Sequence, residues 1–420
     1  MRMNDMERDS LKKKVRRLAR AIKTEKFFDV MYHFIDAVIH KKKVVRLTAD
    51  SVEQYCKDNH ETVMEVESRR NRLVYEPPFF EESEGKEYQF LSPSIYIAIL
   101  HDVTVLSETG MVWAKKNILC DMVKRDKEHR AKWPWGAVRR VDDDKVLLVI
   151  SRKVIEVEQA INLCGFASNN YYHFTMEVLS RLKYVDNLPE AEECPILIDE
   201  GIKAYQQLEE LLQVVCPERK IIYVPYDVCV KVHRLIQPSM NTWGLLNMES
   251  WDLSKISDSM IAQSGIMNIR SCADSYMTEQ TQRKIYISRK NYATTRLVNE
   301  SAIIPLFQVA GFEIVYPETL SYIEQVEVFS SAKCVVGVTG AALTNVLYCH
   351  PGTVIGCIIP REYGFCIYST MAELIGCRTM FLSPDIVERN ECIVAEKYQV
   401  DEEQCKRYIC ELDRLCLQDE

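Results

Sequence analysis

Glycine and proline are scarce in this chain of 420 residues, with 14 of each. That excludes collagen-like, linker-rich and low-complexity architectures. No run of about 18 apolar residues occurs, so the sequence offers no membrane-spanning helix. The 16 cysteines contain no CxxC pair and no Cys/His array, which excludes a zinc finger. No GxSxG elbow, GxGxxG turn or Walker loop is present, so serine-hydrolase, dinucleotide and P-loop signatures are missing as well. Residues 1–10 are polar and 11–20 basic, so no secretory signal is visible, and a cytoplasmic protein with reduced thiols is expected.

Charge is present in quantity but unevenly. The net charge is −8, yet residues 1–46 hold 14 Lys/Arg against 6 Asp/Glu, a balance of +8 that leaves −16 for the rest. The average excludes a generally basic nucleic-acid binder. The basic segment reads as a helix, with Leu11, Val15, Leu18 and Ile22 on one face and cations on the others. Two readings are open for it: a solvated helix packed on its own protein, or a surface helix lying on anionic lipid through residues 10–26.

The remaining pattern is α/β. Residues 44–90 are mixed, and short β-rich runs follow at 97–100, 103–106, 111–113 and 146–150. The acidic Asp142-Asp143-Asp144 resembles a metal-binding triplet but reads better as a solvated turn. From about 154 strands and helices alternate: strands at 159–163, 195–198, 220–224 and 230–236, helices at 171–184 and 205–215. After a polar connection, 241–282, a second series follows. Its strands lie at 284–288, 312–316, 334–338, 354–359 and 379–382. Its helices lie at 299–309, 322–331, 342–348 and 365–375, and 401–417 forms a final helix. Cys334-Val335-Val336-Gly337-Val338 is apolar throughout, as a strand covered on both faces requires. Two such series imply two doubly wound domains with a cleft between them. The expected organisation is a basic helical segment 1–45, an N-terminal domain 46–240 with a small β-rich start, the connection, a C-terminal domain 283–390 and a terminal helix within 391–420.

Three features carry candidate chemistry. Thr339-Gly340-Ala341-Ala342, running on to Thr344 and Asn345, follows a buried strand and opens a helix. Small residues and free N–H groups there either hold a phosphate or simply make a tight turn. Ser288 and Arg289, followed by Lys290 and Arg296, stand at the carboxyl end of the first strand of the second series, the edge where open α/β sheets bind ligands. A guanidinium there either clamps a diphosphate without a metal or forms a surface salt bridge. His173, Glu177 and Arg181 follow at i, i+4 and i+8, one stripe of a helix that begins after Asn170 and Tyr172. The stripe reads as a general base with its neighbours, the helix start holding His173 neutral, or as a buried histidine beside a Glu–Arg pair.

Together these blocks resemble glycosyltransferase family 61. The resemblance rests on Asn170-Tyr171-Tyr172-His173 with Glu177 and Ser180-Arg181-Leu182; on Ile287-Ser288-Arg289; on Arg296 with Asn299-Glu300; on Gly311-Phe312-Glu313 through Pro317-Glu318, Leu320-Ser321 and Glu324-Gln325-Val326; and on Gly337 through Gly340-Ala341, Leu343-Thr344-Asn345 and Pro351-Gly352. It covers roughly 95–385. The family's His-Gly-Ala is Thr339-Gly340-Ala341 here, and the proline of its Leu-Pro-Arg-Leu is Ser180. The resemblance implies a GT-B fold, two facing Rossmann-like domains around a cleft. It implies inverting, metal-independent transfer from a nucleotide-diphosphate sugar to a hydroxyl, without a cofactor, in surface (capsular) polysaccharide or glycoconjugate synthesis. Ser288, Arg289, Arg296, Glu318, Thr339, Gly340, Ala341, Ala342, Thr344 and Asn345 would then face the donor. His173 or Glu177 would be the base, and Asn170, Tyr172 and Arg181 would face a glycan or lipid-linked glycan acceptor. A non-catalytic nucleotide-sugar or glycan binder and a sugar-nucleotide epimerase are the alternatives.

Overall fold

The computed structural model describes residues 43–121, 138–140, 145–150, 153–186, 188–243, 260–289, 296–390 and 395–418. The basic N-terminal segment, the Asp142–Asp144 triplet and Lys290 lie outside the described residues. The chain is mixed α/β, as the alternation of patterns predicts, and its strands form two principal sheets.

The first sheet begins with β1 (Lys43–Asp50), β2 (Thr62–Glu67), β5 (Ile95–Leu106), β6 (Val112–Ala114), β7 (Asn117–Leu119), β8 (Val138–Arg140) and β9 (Lys145–Ile150), while β3 (Asn71–Glu76) and β4 (Lys86–Leu91) form a separate hairpin. The alternating part adds β10 (Val154–Asn162), β11 (Ile196–Asp199), β12 (Ile221–Val224) and β13 (Cys229–Pro238), to make eleven strands. β5 replaces the two strands expected at 97–100 and 103–106. The polar His101-Asp102 does not interrupt it, because β13 pairs with residues on both sides and Asp102 absorbs the irregularity in the left-handed region at φ 50°. Pairing along a long partner outweighs a local polar break. The mixed 44–90 stretch contains β1 to β4 and the Val52–Asn59 helix, which Ser51 caps.

Four strands of this sheet form a parallel unit in the order β12-β11-β10-β13. The chain steps outward from β10 to β12, then returns to the other side of β10 as β13. Strand direction of growth therefore reverses between β10 and β13, and that gap is a crevice-forming switch point.

Short strands β14 (Thr242–Trp243) and β15 (Met260–Ile261) and the Gln263–Cys272 helix lead to the second sheet. It consists of β16 (Arg283–Ile287), β17 (Phe312–Val315), β18 (Ala332–Val338), β19 (Val354–Ile358) and β20 (Arg378–Thr379), all parallel, in the order β17-β16-β18-β19-β20. Its switch point lies between β16 and β18. β18 is buried on both faces: the Tyr322–Ser330 helix covers one and the Glu402–Cys416 helix the other. That double cover explains its apolar run. Cys405 and Cys416 of the last helix are buried but Cys410 is exposed, so the three cysteines do not share one face. A small hairpin, β21 (Asp385–Glu388) and β22 (Lys397–Gln399), precedes that helix.

The two sheets are not independent bodies. One apolar cluster runs from Ile161 and Leu179 on the first to Ile287 and Leu347 on the second. Polar contacts reinforce it: Glu210 accepts from the Tyr322 N–H at 2.6 Å, and Gln207 Nε2 donates to the Leu320 carbonyl at 2.9 Å. Among the described residues no helix is long and apolar enough to cross a membrane.

Candidate active site

The switch point of the second sheet gathers four of the candidate residues. Ser288 and Arg289 leave the carboxyl end of β16; Thr339 and Gly340 leave that of β18. Gly340 is extended (φ 170°), so its backbone does not demand glycine. Its surroundings do: a Cβ there would lie 1.8 Å from Arg289 Nη1. The turn is side-chain-free because the guanidinium occupies that space. Arg296 reaches the same turn, its Nη1 3.5 Å from the Thr339 carbonyl, and its buried Nε has no partner. Tyr368 secures the turn from the other side by donating to the Gly340 carbonyl at 2.7 Å. Glu300 sets the base of the arginine: one carboxylate oxygen accepts from the Arg289 N–H at 2.9 Å and from the Tyr286 hydroxyl at 3.2 Å.

After Gly340 the chain forms a 3₁₀ helix, Ala341–Tyr348, rather than the α-helix expected at 342–348. Ala341 and Ala342 are half-buried against the core, and Ser288 and Thr344 are fully buried. Asn345 is buried with its amide engaged twice: it accepts from Tyr171 Oη at 2.6 Å and donates to Gln325 at 2.7 Å. Glu318 follows β17 on the same edge, and both its carboxylate oxygens are buried without a hydrogen-bond partner. A buried, unpaired carboxylate is an acceptor awaiting donors.

The switch point of the first sheet holds the other candidates. Asn170 caps the 171–185 helix, its side chain accepting from the Tyr172 N–H at 3.0 Å. His173 Nδ1 and Glu177 Oε2 are 2.7 Å apart, and the rings of Tyr172 and Phe166 stand edge-on to the imidazole. Burial pulls the His173 pKa down, but the charge and hydrogen bond of Glu177 outweigh it, so the net shift is upward. The expected depression by the helix start is therefore overturned by the carboxylate one turn away.

The helix itself is irregular. An α-turn (Tyr171–His173) gives way to a π-turn (Phe174–Val178), a 3₁₀ turn (Leu179–Arg181) and a last α-turn (Leu182–Val185). The wide turn breaks the expected i, i+4, i+8 stripe after Glu177. Arg181 instead turns inward, 4% exposed, and donates to the Cys164 carbonyl at 3.3 Å. Burial lowers its pKa to about 10, against the pull of nearby acids that include Asp121 and Glu177. A cavity of about 50 Å³ opens beside it, lined among others by Glu177, Arg181, Asp121, Gln237 and Gly165. Cys164-Gly165 and Gln237 extend or end β10 and β13, so this cavity occupies the gap at that switch point. Burial raises the Asp121 pKa there.

The bond from Tyr171 to Asn345 joins the two regions: the start of the His173 helix is tied directly to the turn beyond Gly340. Sequence patterns did not single out Glu300, Tyr368 or Asp121. Glu300 stood in a recognised Asn-Glu pair without a role, while the contacts of Tyr368 and Asp121 join residues far apart in the chain. Among the described residues no group of three or more His, Cys, Asp or Glu side chains is placed to hold a metal ion.

Fold and site together define an α/β protein whose candidate residues gather at the switch points of two joined sheets. The family model for glycosyltransferase 61 matches residues 171–356, from the first residue of the His173 helix into β19. That segment, 186 of the chain's 420 residues, is similar to glycosyltransferase family 61, which supports a glycosyltransferase activity. No curated protein matches it.

Proposed function

We propose that this chain is an inverting, metal-independent glycosyltransferase of GT-B type, moving a sugar from a nucleotide-diphosphate sugar to a hydroxyl. The observation that carries the reading is the Arg289 guanidinium lying against the bare Gly340 turn at the second sheet's switch point. A diphosphate seated there meets Arg289 and Arg296, two cations that neutralise charge as it develops on the leaving group. Glu318 accepts hydroxyls of the ribose or the sugar. Asn345, Ala341, Ala342 and Thr344 shape the turn, and Ser288 and Thr339 line its base.

His173 is the base in this reading. Its Nδ1–H donates to Glu177, which leaves Nε2 with a lone pair for the acceptor hydroxyl. The hydroxyl loses its proton to Nε2 as its oxygen attacks the anomeric carbon. The bond from that carbon to the diphosphate oxygen breaks, and its electron pair leaves with the diphosphate. Glu177 stabilises the imidazolium that results. Asn170 and Tyr172 position the His173 turn, and Arg181 holds the acceptor-side cavity. Attack from the face opposite the diphosphate inverts the anomeric configuration.

The role we propose is surface-polysaccharide or glycoconjugate synthesis at the cytoplasmic face of a membrane. The acceptor is a lipid-linked glycan, approached through the basic residues 10–26. Incubation with a panel of nucleotide sugars and glycan acceptors in EDTA, with NMR of the products, tests the chemistry. A product of inverted anomeric configuration is expected. A retained configuration, or conversion of the nucleotide sugar alone into its epimer, overturns the mechanism.

A further inference from the structure

Tyr398 lies on β22, beyond the segment that matches the family. Its side chain is fully buried, and its hydroxyl has no hydrogen-bond partner. That sets it apart from its neighbours. The buried hydroxyls of Tyr286, Tyr322, Tyr348, Tyr368 and Tyr408 are all bonded, to Glu300, to each other, or to the carbonyls of Gly340 and Met380. An orphaned buried hydroxyl is costly, and among the described tyrosines only that of Tyr398 is left so.

Its location is specific. The Tyr398 N–H donates to the Arg296 carbonyl at 2.9 Å, and its carbonyl accepts from the Val298 N–H at 2.9 Å. Asn299 completes the seam, donating to the Val400 carbonyl at 2.7 Å and accepting from the Val400 N–H at 3.1 Å. β22 is thus stitched to the short segment that delivers Arg296 to the Gly340 turn. Burial pushes the Tyr398 phenol pKa up, and the positive charges of Arg296 and, more weakly, Arg289 act on it in the opposite direction. Guanidinium groups donate and never accept. A hydroxyl that lacks an acceptor, on a strand bonded to the Arg296 backbone and within the field of both cations, is matched by a ligand rich in lone pairs. A diphosphate, with several anionic oxygens, satisfies all three groups at once.

We propose that Tyr398 is a donor-site residue whose hydroxyl donates to a diphosphate oxygen held by Arg289 and Arg296. The inference rests on the donor reading above and adds to it a ligand from outside the matched segment. The β21–β22 hairpin thereby both positions Arg296 and supplies a contact of its own.

Calorimetric titration of the wild-type chain and of Tyr398→Phe with UDP, GDP, CDP and ADP, in EDTA, tests it. The nucleotide that the wild type binds is expected to lose about 3–10-fold in affinity in Tyr398→Phe, the effect of one hydrogen bond. The melting temperature should hold or rise, because the substitution removes a hydroxyl that the apo fold leaves unbonded. Equal affinity in wild type and variant overturns this inference while leaving the donor reading intact. A melting temperature lowered by several degrees gives the hydroxyl a structural role and overturns it also. Failure of the wild type to bind any of the four overturns the donor reading, and this inference with it.

Discussion

At the scale of single residues, the account turns on two close contacts. The His173–Glu177 bond at 2.7 Å raises the imidazole pKa above its ordinary value of about 6.5. A base must be neutral, so activity should fall as pH drops through that raised value. Replacing Glu177 with Gln removes the attraction and leaves burial, which acts in the opposite direction. The acid limb of the kcat/KM profile of Glu177→Gln should therefore lie at lower pH than in the wild type, with a lower maximum. An unmoved limb would take His173 out of the base role. The second contact is Arg289 against Gly340. Gly340→Ala puts a methyl 1.8 Å from Nη1, so the flexible guanidinium must swing away. Nucleoside diphosphate affinity should drop about 10-fold, the loss of one charge-assisted bond, with little change in melting temperature. Arg289 and Gly340 were readable as candidates because each ends a recognisable strand. Glu300, Tyr368 and Tyr398 were not, because nothing local distinguishes a buried carboxylate or tyrosine from one serving a distant turn.

At the scale of elements, the second alternating series was legible almost throughout. β16 to β19 begin and end within two residues of the apolar runs at 284–288, 312–316, 334–338 and 354–359. Parallel strands buried on both faces write themselves as continuous apolar runs. The 44–90 region was opaque for the converse reason: β2 and β4 are short and largely exposed, so their alternation is weak. Two helices were legible in place but not in kind. The π-turn at Phe174–Val178 depends on tertiary packing, visible at Gly165, where a Cβ would lie 2.7 Å from Val178 Cγ2. π-turns of this sort concentrate at functional sites. Gly165→Ala presses on that turn and on the adjoining cavity. It should cost about 1–3 kcal/mol in thermal or chemical unfolding, the range for an overpacked core, and reduce transfer as Glu177 shifts. Unchanged stability and rate would show that the wide turn absorbs the methyl without moving.

At the scale of the whole molecule, charge and architecture answer different questions. On the proposed reading the acidic body binds an anionic donor with few cations, and Arg289 and Arg296, which meet at one switch point, are the ones that serve it. The opposite switch point gathers Glu177, Arg181 and Asp121 around a small cavity, and the Tyr171–Asn345 bond holds the two together. Of the +8 segment, residues 43–46 begin β1 and the rest lies outside the described residues. If it serves a lipid surface, removing residues 1–26 should abolish sedimentation with anionic vesicles while leaving donor binding intact. Undiminished sedimentation would assign the segment another role. The central claim is that a nucleotide diphosphate is held by the Arg289 guanidinium beside the Gly340 turn. Calorimetric comparison of the wild type with Arg289→Ala, using the nucleoside diphosphate the wild type binds, tests it most directly. The account predicts a loss of about 1.5–3 kcal/mol, that of a hydrogen bond to a charged group. Equal affinity in the two proteins would contradict it.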